Sequence, residues 1–522
     1  MAADRRSGPD SNDRELRLTT VWRALTYVFA AAVLTAGGVF YTLVVLLDVQ
    51  DLKSTTTLDA KTLFDLVKLS FGVVAGSGAL VALVVAYRRQ RVDEAGAHRE
   101  ATRLHTERFS QAVDKLGSDS PAVRLGGVHA LAGLADDAPD TSLRQTCIDV
   151  LCAYLRLPYT PDPGDDPAHL EEHHRYLALR EVRHTILRLI GDHYRLPAGT
   201  HHSWQGCDLD LTGITIDGPI DFSRAVFSNS KVSFRSAVFS RGIVSFKGAT
   251  FFGSRVSFDG AVFSGSRVPF DHAVFSGGEV SFGQARFSRG TVSFDHAVFS
   301  GGIVSFDHAA FSGSRVSFDH AAFSGSRVSF SVAAFSSNVT FSAAVFSGGE
   351  VSFYSSAFSS NVTFSAAVFS GGEVSFKGVG FFASIVSFSA AVFSGGTASF
   401  EHARFSGGIV SFSDAEFSGG IVSFARAEFS GGIVSFARAE FSGSIVSFAR
   451  AEFSGSIVSF ARAEFSGSGV HFSEAVFSGG EVSFGDASGP APNGLLAVVG
   501  SAVPTTVALA PTWLPTAQEE GA

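Results

Sequence analysis

Cysteine is scarce: Cys147, Cys152 and Cys207 are the three present in 522 residues. They are too few and too scattered for a disulfide framework, and no CxxC or Cys/His spacing suggests zinc. Free thiols in a reducing compartment are the simplest reading. Methionine occurs once and proline 15 times, against 52 phenylalanines and 55 glycines. Such a skew departs from ordinary globular composition and signals one short unit copied many times. A strong charge of either sign is missing as well. The net charge of −9 is modest for this length and argues neither for nor against a nucleic-acid partner. GxGxxG, a P-loop, HExxH and a GxSxG nucleophile elbow are all lacking. The many serines are locked into a repeat, so none is singled out as a nucleophile. No enzyme and no cofactor are expected.

Two stretches lack charge altogether, Ala24 to Leu47 and Leu69 to Tyr87. As helices they would be about 36 Å and 28 Å long, at about 1.5 Å per residue, which is enough to span a bilayer. A cleaved signal peptide is the rival for the first run, but that run is too long and a second comes after it. Arg5, Arg6, Arg14, Arg17 and Arg23 precede the first run, and Arg88, Arg89 and Arg91 come after the second. Cationic flanks stay cytoplasmic. The expectation is therefore a basic cytoplasmic N-terminus over 1–23 and two transmembrane helices over 24–87, joined by a short outside loop. Both termini lie inside, in a bacterial plasma membrane, with the lipid bilayer as a partner. Gly72 and Gly76 have the spacing that lets helices approach closely. Packing against Gly37 and Gly38 is the plain reading of that pair, and a homodimer through Gly72 and Gly76 is the other.

Residues 88–200 read as helical. A charged, proline-free helix over 88–116 continues from the second run. Ser120-Pro121 then starts another, with Leu125, Val128, Leu131 and Leu134 at helical spacing. Further helices are expected from Arg144 to Arg156 and from Glu181 to Tyr194. Pro158, Pro161, Pro163 and Gly164 mark the loop between them. The stretch Ala122–Leu131 resembles one helix of a HEAT-type α-solenoid. The plainer expectation is a small helical bundle that buttresses the membrane anchor against the C-terminal half of the chain.

From Phe222 the phenylalanines keep a strict rhythm. One series runs Phe222, Phe234, Phe246 and on to Phe484 in steps of 12, except that Phe330–Phe341 and Phe353–Phe364 are steps of 11. A second series lies five residues later, Phe227, Phe239 and onward to Phe477. Two residues before each Phe stands a small or branched apolar residue, such as Ala297, Ala309, Val292 or Val304. On a strand, that spacing puts both side chains on one face. Phe294, Phe299, Phe306, Phe311, Phe424 and Phe429 are thus expected in a core, with Ser, Asp, His, Arg and Glu outside.

Ala-Val-Phe-Ser-Gly over 297–301 and Val-Ser-Phe-Asp-His over 304–308 resemble the unit of the pentapeptide-repeat family, Ala-x-Phe/Leu-x-x. The departure is two extra residues, such as Gly302-Ile303, at every second corner. The resemblance implies a right-handed, four-sided β-helix over 201–487. Two units per coil, 24 residues, would put Phe on each of four sides, giving about 11 to 12 coils stacked at about 4.8 Å. Residues 488–522 break the repeat, as either a cap or a disordered tail. The whole arrangement resembles membrane-anchored pentapeptide-repeat proteins of actinobacteria. The fold class expected is α + β: two transmembrane helices, a small helical region, then the solenoid.

Two polar constellations recur. Asp271-His272, Asp295-His296, Asp307-His308 and Asp319-His320 combine carboxylate with imidazole, which suits divalent metals. With no third ligand or unique member, a copied exposed corner is the better reading, and no metal is expected. Arg426/Glu428, Arg438/Glu440 and Arg450/Glu452 form outward charge ladders, either plain solvated surface with weak ion pairs or a docking stripe. The function expected is a membrane-anchored cytoplasmic scaffold that presents its repetitive surface to an unknown protein partner. The alternative is a DNA-mimicking binder of a topoisomerase or another nucleic-acid enzyme, as the resemblance implies for some soluble members. Between Phe222 and Phe484 stand 17 Arg plus Lys against 17 Asp plus Glu, too neutral a field for such mimicry. Nucleic acid is not an expected partner.

Overall fold

The computed structural model describes residues 60–500 except 165, 383, 384 and 468, together with 503, 505–514 and a few positions between 26 and 38. The basic N-terminus 1–23, most of the first charge-free run and residues 48–59 lie outside the described residues. The chain divides into two compact units, Met1–Leu104 and His105–Ala522.

In the first unit the main described element is the start of α1, which runs unbroken from Ala60 to Leu116. It carries the whole second charge-free run. Among the described residues no helix is long and apolar enough to cross a membrane. This overturns both the two transmembrane helices and the two-span plasma-membrane localisation. Freedom from charge is not the same as apolarity: Ser70, Gly72, Gly76, Ser77 and Gly78 fall inside that run. The helix that carries it then continues as a charged rod. Open space surrounds the Cβ positions of Gly72 and Gly76.

In the second unit the end of α1 is followed by α2 (Pro121–Asp136), α3 (Thr141–Arg156) and α4 (Leu170–Arg195). Pro121 sits where a missing N–H costs nothing, and Asp140 caps α3 by accepting from Leu143 N at 2.8 Å. At Gly127 a Cβ would stand 2.6 Å from Leu116 N, so only glycine lets α2 meet the end of α1. The four elements share a core of Leu116, Val128, Leu131, Ile148, Leu151, Leu155, Ile186 and Ile190. Cys147, Cys152 and Cys207 are free and buried in it, and burial pushes the Cys152 thiol up to about 12.

The rest of the unit is a parallel β-solenoid of about 12 turns. Its register proves the coil length: Phe263 lies over Phe287 and Phe275 over Phe299, 24 residues apart. Each coil gives two strand segments to each of two sheets, as with Val298–Ser300, Ile303–Ser305 and then Ala310–Ser317. Successive rings of one column stack nearly parallel, Phe282–Phe306 at 4.8 Å and Phe306–Phe330 at 4.7 Å. Facing columns meet edge to face inside the coil, Phe294–Phe306 at 5.5 Å. Phe294, Phe299, Phe306, Phe311, Phe424 and Phe429 are each fully buried.

The two 11-residue units are stacked on one another. Val339 pairs with Val362 and Thr340 with Thr363, a step of 23. The shortened corners are locked by a hydrogen bond from Ser360 Oγ to Asn338 Oδ1 at 2.8 Å. The missing residue is thus lost from one corner in two consecutive layers, and the coils above return to 24.

Both ends of the solenoid are closed. At the first coil, α4 lies across the strand ends: Arg195 Nε donates to Ser223 O at 2.8 Å, and Tyr194 packs on Phe227 at 5.0 Å. At the last coil the chain folds back. Val507 pairs with Val482, and the Trp513 ring lies 5.6 Å from Phe484 with its Nε1 donating to Gly489 O at 2.9 Å. Residues 488–500 and 505–513 therefore cap the terminal coil.

Candidate interaction surface

The outer surface is set by the inward rule. With Ala/Phe and Val/Phe pairs turned in, each coil offers the residue before each second-series Phe, the residue before each inward Val, and the corner after each first-series Phe. The corner residue two places after that Phe sits at positive φ, for example His296 at 57° and Arg438 at 58°. This left-handed position throws its side chain out from the wall.

Coil stacking sorts the polar residues into columns that the linear order disguises. His272, His296 and His320 stack at 4.9 Å and 4.8 Å on one corner, while His308 belongs to the opposite one. The aspartates before them are engaged with the next coil. Asp295 accepts from Ser317 Oγ and from Asp319 N, and Asp307 accepts from Ser329 Oγ and from Ser331 N. These carboxylates satisfy backbone donors that the sheets leave unpaired. Among the described residues no group of His, Cys, Asp and Glu is placed to hold a metal ion.

The Arg and Glu residues of the later units separate in the same way. Arg426 and Arg450 share one corner, Arg438 and Arg462 the other. Glu428 lies in register with Glu452, and Glu440 with both Glu416 and Glu464. All six ladder residues, Arg426, Glu428, Arg438, Glu440, Arg450 and Glu452, are exposed. Ion pairs form at the ladder ends: Arg438 with Asp414 at 2.6 Å and Arg450 with Glu474 at 2.7 Å. The hydrogen bond from Arg438 holds the Asp414 carboxyl below the usual carboxylate range. Among the described residues Arg426 and Arg462 make no ion pair. Within each column like charges stand one strand spacing apart, which costs stability.

Between these columns runs an apolar one that sequence inspection did not single out. Ile385, Ile409, Ile433 and Ile457 are in register over four consecutive coils. They are 42–49 % exposed, high for β-branched side chains in a row. Across the Gly-Gly corner lies the Arg404–Glu428–Glu452 column, and across the next corner lie Arg438 and Arg462. The glycines make the turn: Gly432 has φ 81°, and a Cβ there would stand 2.9 Å from Gly407 C of the coil beneath. The signal for this stripe was present as the recurring Ile-Val-Ser-Phe, with Ile one step out of phase with the inward Val.

Comparison with curated proteins and with solved structures finds no match. Residues 211–261 match the family described as pentapeptide repeats (9 copies). The narrower reading, an actinobacterial membrane-anchored member, has no support from that match. The match, in the first coils, and the β-solenoid that continues from them together support a pentapeptide-repeat protein.

Proposed function

We propose that the protein is a non-catalytic interaction scaffold whose C-terminal coils dock an elongated protein partner. The observation that carries this reading is the exposed ladder of Ile385, Ile409, Ile433 and Ile457, whose upper members, Ile433 and Ile457, lie between Glu428 and Glu452 on one side and Arg438 and Arg462 on the other. An apolar stripe rimmed by charge is the pattern of an interface. Like charges held in register repel one another, and a partner with a basic edge against the glutamates and an acidic edge against the arginines relieves that repulsion. The balance of 17 basic against 17 acidic residues between Phe222 and Phe484 favours this reading over imitation of a DNA duplex.

The test is cross-linking and mass spectrometry of the full chain in its native cell, beside a variant carrying Ile409→Ser, Ile433→Ser and Ile457→Ser. Cross-links to one partner are expected to concentrate on this face and to disappear in the variant, while circular dichroism stays unchanged. Cross-links spread evenly over all faces, or unaffected by the triple substitution, would overturn the proposal.

A further inference from the structure

A second feature lies away from the solenoid wall, in the helical region of the second unit. The end of α1, together with α2, α3, the loop after α3, and α4, encloses an open cavity of about 460 Å³. That is within the range of small-molecule sites, about 300–1,000 Å³. Its walls are mostly aliphatic, with Leu116, Leu157 and Leu179 among them, but two guanidiniums also line it, Arg124 and Arg183.

Arg183 is 6 % exposed. It donates to Thr215 O at 3.2 Å and lies over the Tyr159 ring at 4.5 Å. Arg124 donates to Ser118 O and reaches Tyr154 Oη at 3.5 Å. Among the described residues neither arginine has a carboxylate partner. Tyr159 Oη is enclosed and has no hydrogen bond of good geometry, while its neighbour Tyr176 donates instead to Asp217. Buried cations are ordinarily paired, and a buried phenol ordinarily finds an acceptor. Here a buried guanidinium and a second guanidinium line an apolar cavity, with no carboxylate to pair them among the described residues. Guanidinium is suited to bidentate contact with carboxylate or phosphate oxygens.

We propose that this cavity binds a small amphipathic molecule whose anionic head, a carboxylate or a phosphate, meets Arg124 and Arg183 while its aliphatic body lies along Leu116 and Leu179. The site is independent of the isoleucine ladder. The probes are decanoate, decyl phosphate, decanol and decyltrimethylammonium, titrated calorimetrically into the full chain. Decanoate, decyl phosphate or both should bind once per chain, at least about tenfold more tightly than decanol, and the ammonium should not bind. The ratio of the two anions tells which head the site takes. Ala153→Trp, at an exposed position of α3 that lines the cavity, should weaken anion binding about tenfold or more with the circular dichroism unchanged. Arg124→Gln should narrow the gap between decanoate and decanol. Absence of anion binding, equal affinity for decanol, or full binding by Ala153→Trp would each overturn the proposal.

Discussion

At the scale of single residues, the solenoid rests on a difference between adjacent positions. Phe306 is fully buried between Phe282 and Phe330 and meets Phe294 and Phe318 edge to face. Its neighbours are held by ladder hydrogen bonds above and below, so they cannot collapse into a hole. Phe306→Ala should cost about 3–5 kcal/mol, read by chemical denaturation. The hydroxyl of Ser305, one residue earlier, accepts from Asp307 N at 3.2 Å, and Ser305→Ala should stay within about 0.5 kcal/mol. Equal losses for the two would refute the division into inner and outer positions. Phe484 ends the first phenylalanine series. It has Phe460 beneath it at 4.7 Å and Trp513 above, so the terminal layer is packed nearly as an inner one is.

Among the elements, α4 has an ionisable anchor. His193 donates from Nδ1 to Leu189 O at 2.6 Å and from Nε2 to Asp136 Oδ2 at 3.2 Å, with its ring on Trp204 at 4.1 Å. Burial opposes the imidazolium, but the bonds to Asp136 and Leu189, with the charges of Asp136 and Asp192, together outweigh it and raise the pKa. Burial likewise disfavours the Asp136 carboxylate, yet its bonds from His193 and Trp204 lower its pKa. The histidine's contribution is complete below its unfolded value of about 6.5 and is lost as pH rises through the raised folded value. The aspartate's contribution is lost as pH falls through its depressed one. Hydrogen exchange in α4 should therefore quicken as pH rises above about 6.5, beyond the intrinsic base-catalysed rise, and His193→Gln should remove that excess. An unchanged excess in the variant would assign the effect elsewhere. The solenoid was legible in the sequence because an interior Phe cannot move without turning every later one, so its period is rigid. The start of α4 was not. Its first turns, Glu171–Arg175, are wholly polar, and what begins the helix is a turn at Pro167–His169 capped by Asp166. The anion cavity was hidden too, since Arg124 and Arg183 meet only through tertiary packing. The charge ladders of Arg426/Glu428, Arg438/Glu440 and Arg450/Glu452 were legible as repeats, but not that coil stacking places Arg over Arg and Glu over Glu. The second charge-free run misled because its serines and glycines lower hydropathy without adding charge.

For the second unit as a whole, stability depends on closing the two ends of a fold whose middle repeats. α4 covers the first coil, and the segment ending at Trp513 covers the last. A bare parallel edge pairs with other edges. Truncation after Gly489, or Trp513→Ala together with Val507→Pro, should leave the circular dichroism of the repeats intact while shifting the chain to higher mass in size-exclusion light scattering. A truncated chain of unchanged mass would show that the tail is dispensable. The stacked short corners carry a consequence of another kind. Residues 334–353 and 357–376 are the same string of amino acids, so the shortened corner was copied along with everything around it. Unequal crossing-over that inserts a whole turn hands the new layer a neighbour with an identical corner, and the defect fits itself. An insertion of half a turn moves the trait to the opposite wall, as Asp307-His308 stands opposite Asp295-His296. The gene can thus grow or shrink by whole turns while each stripe of the surface stays continuous.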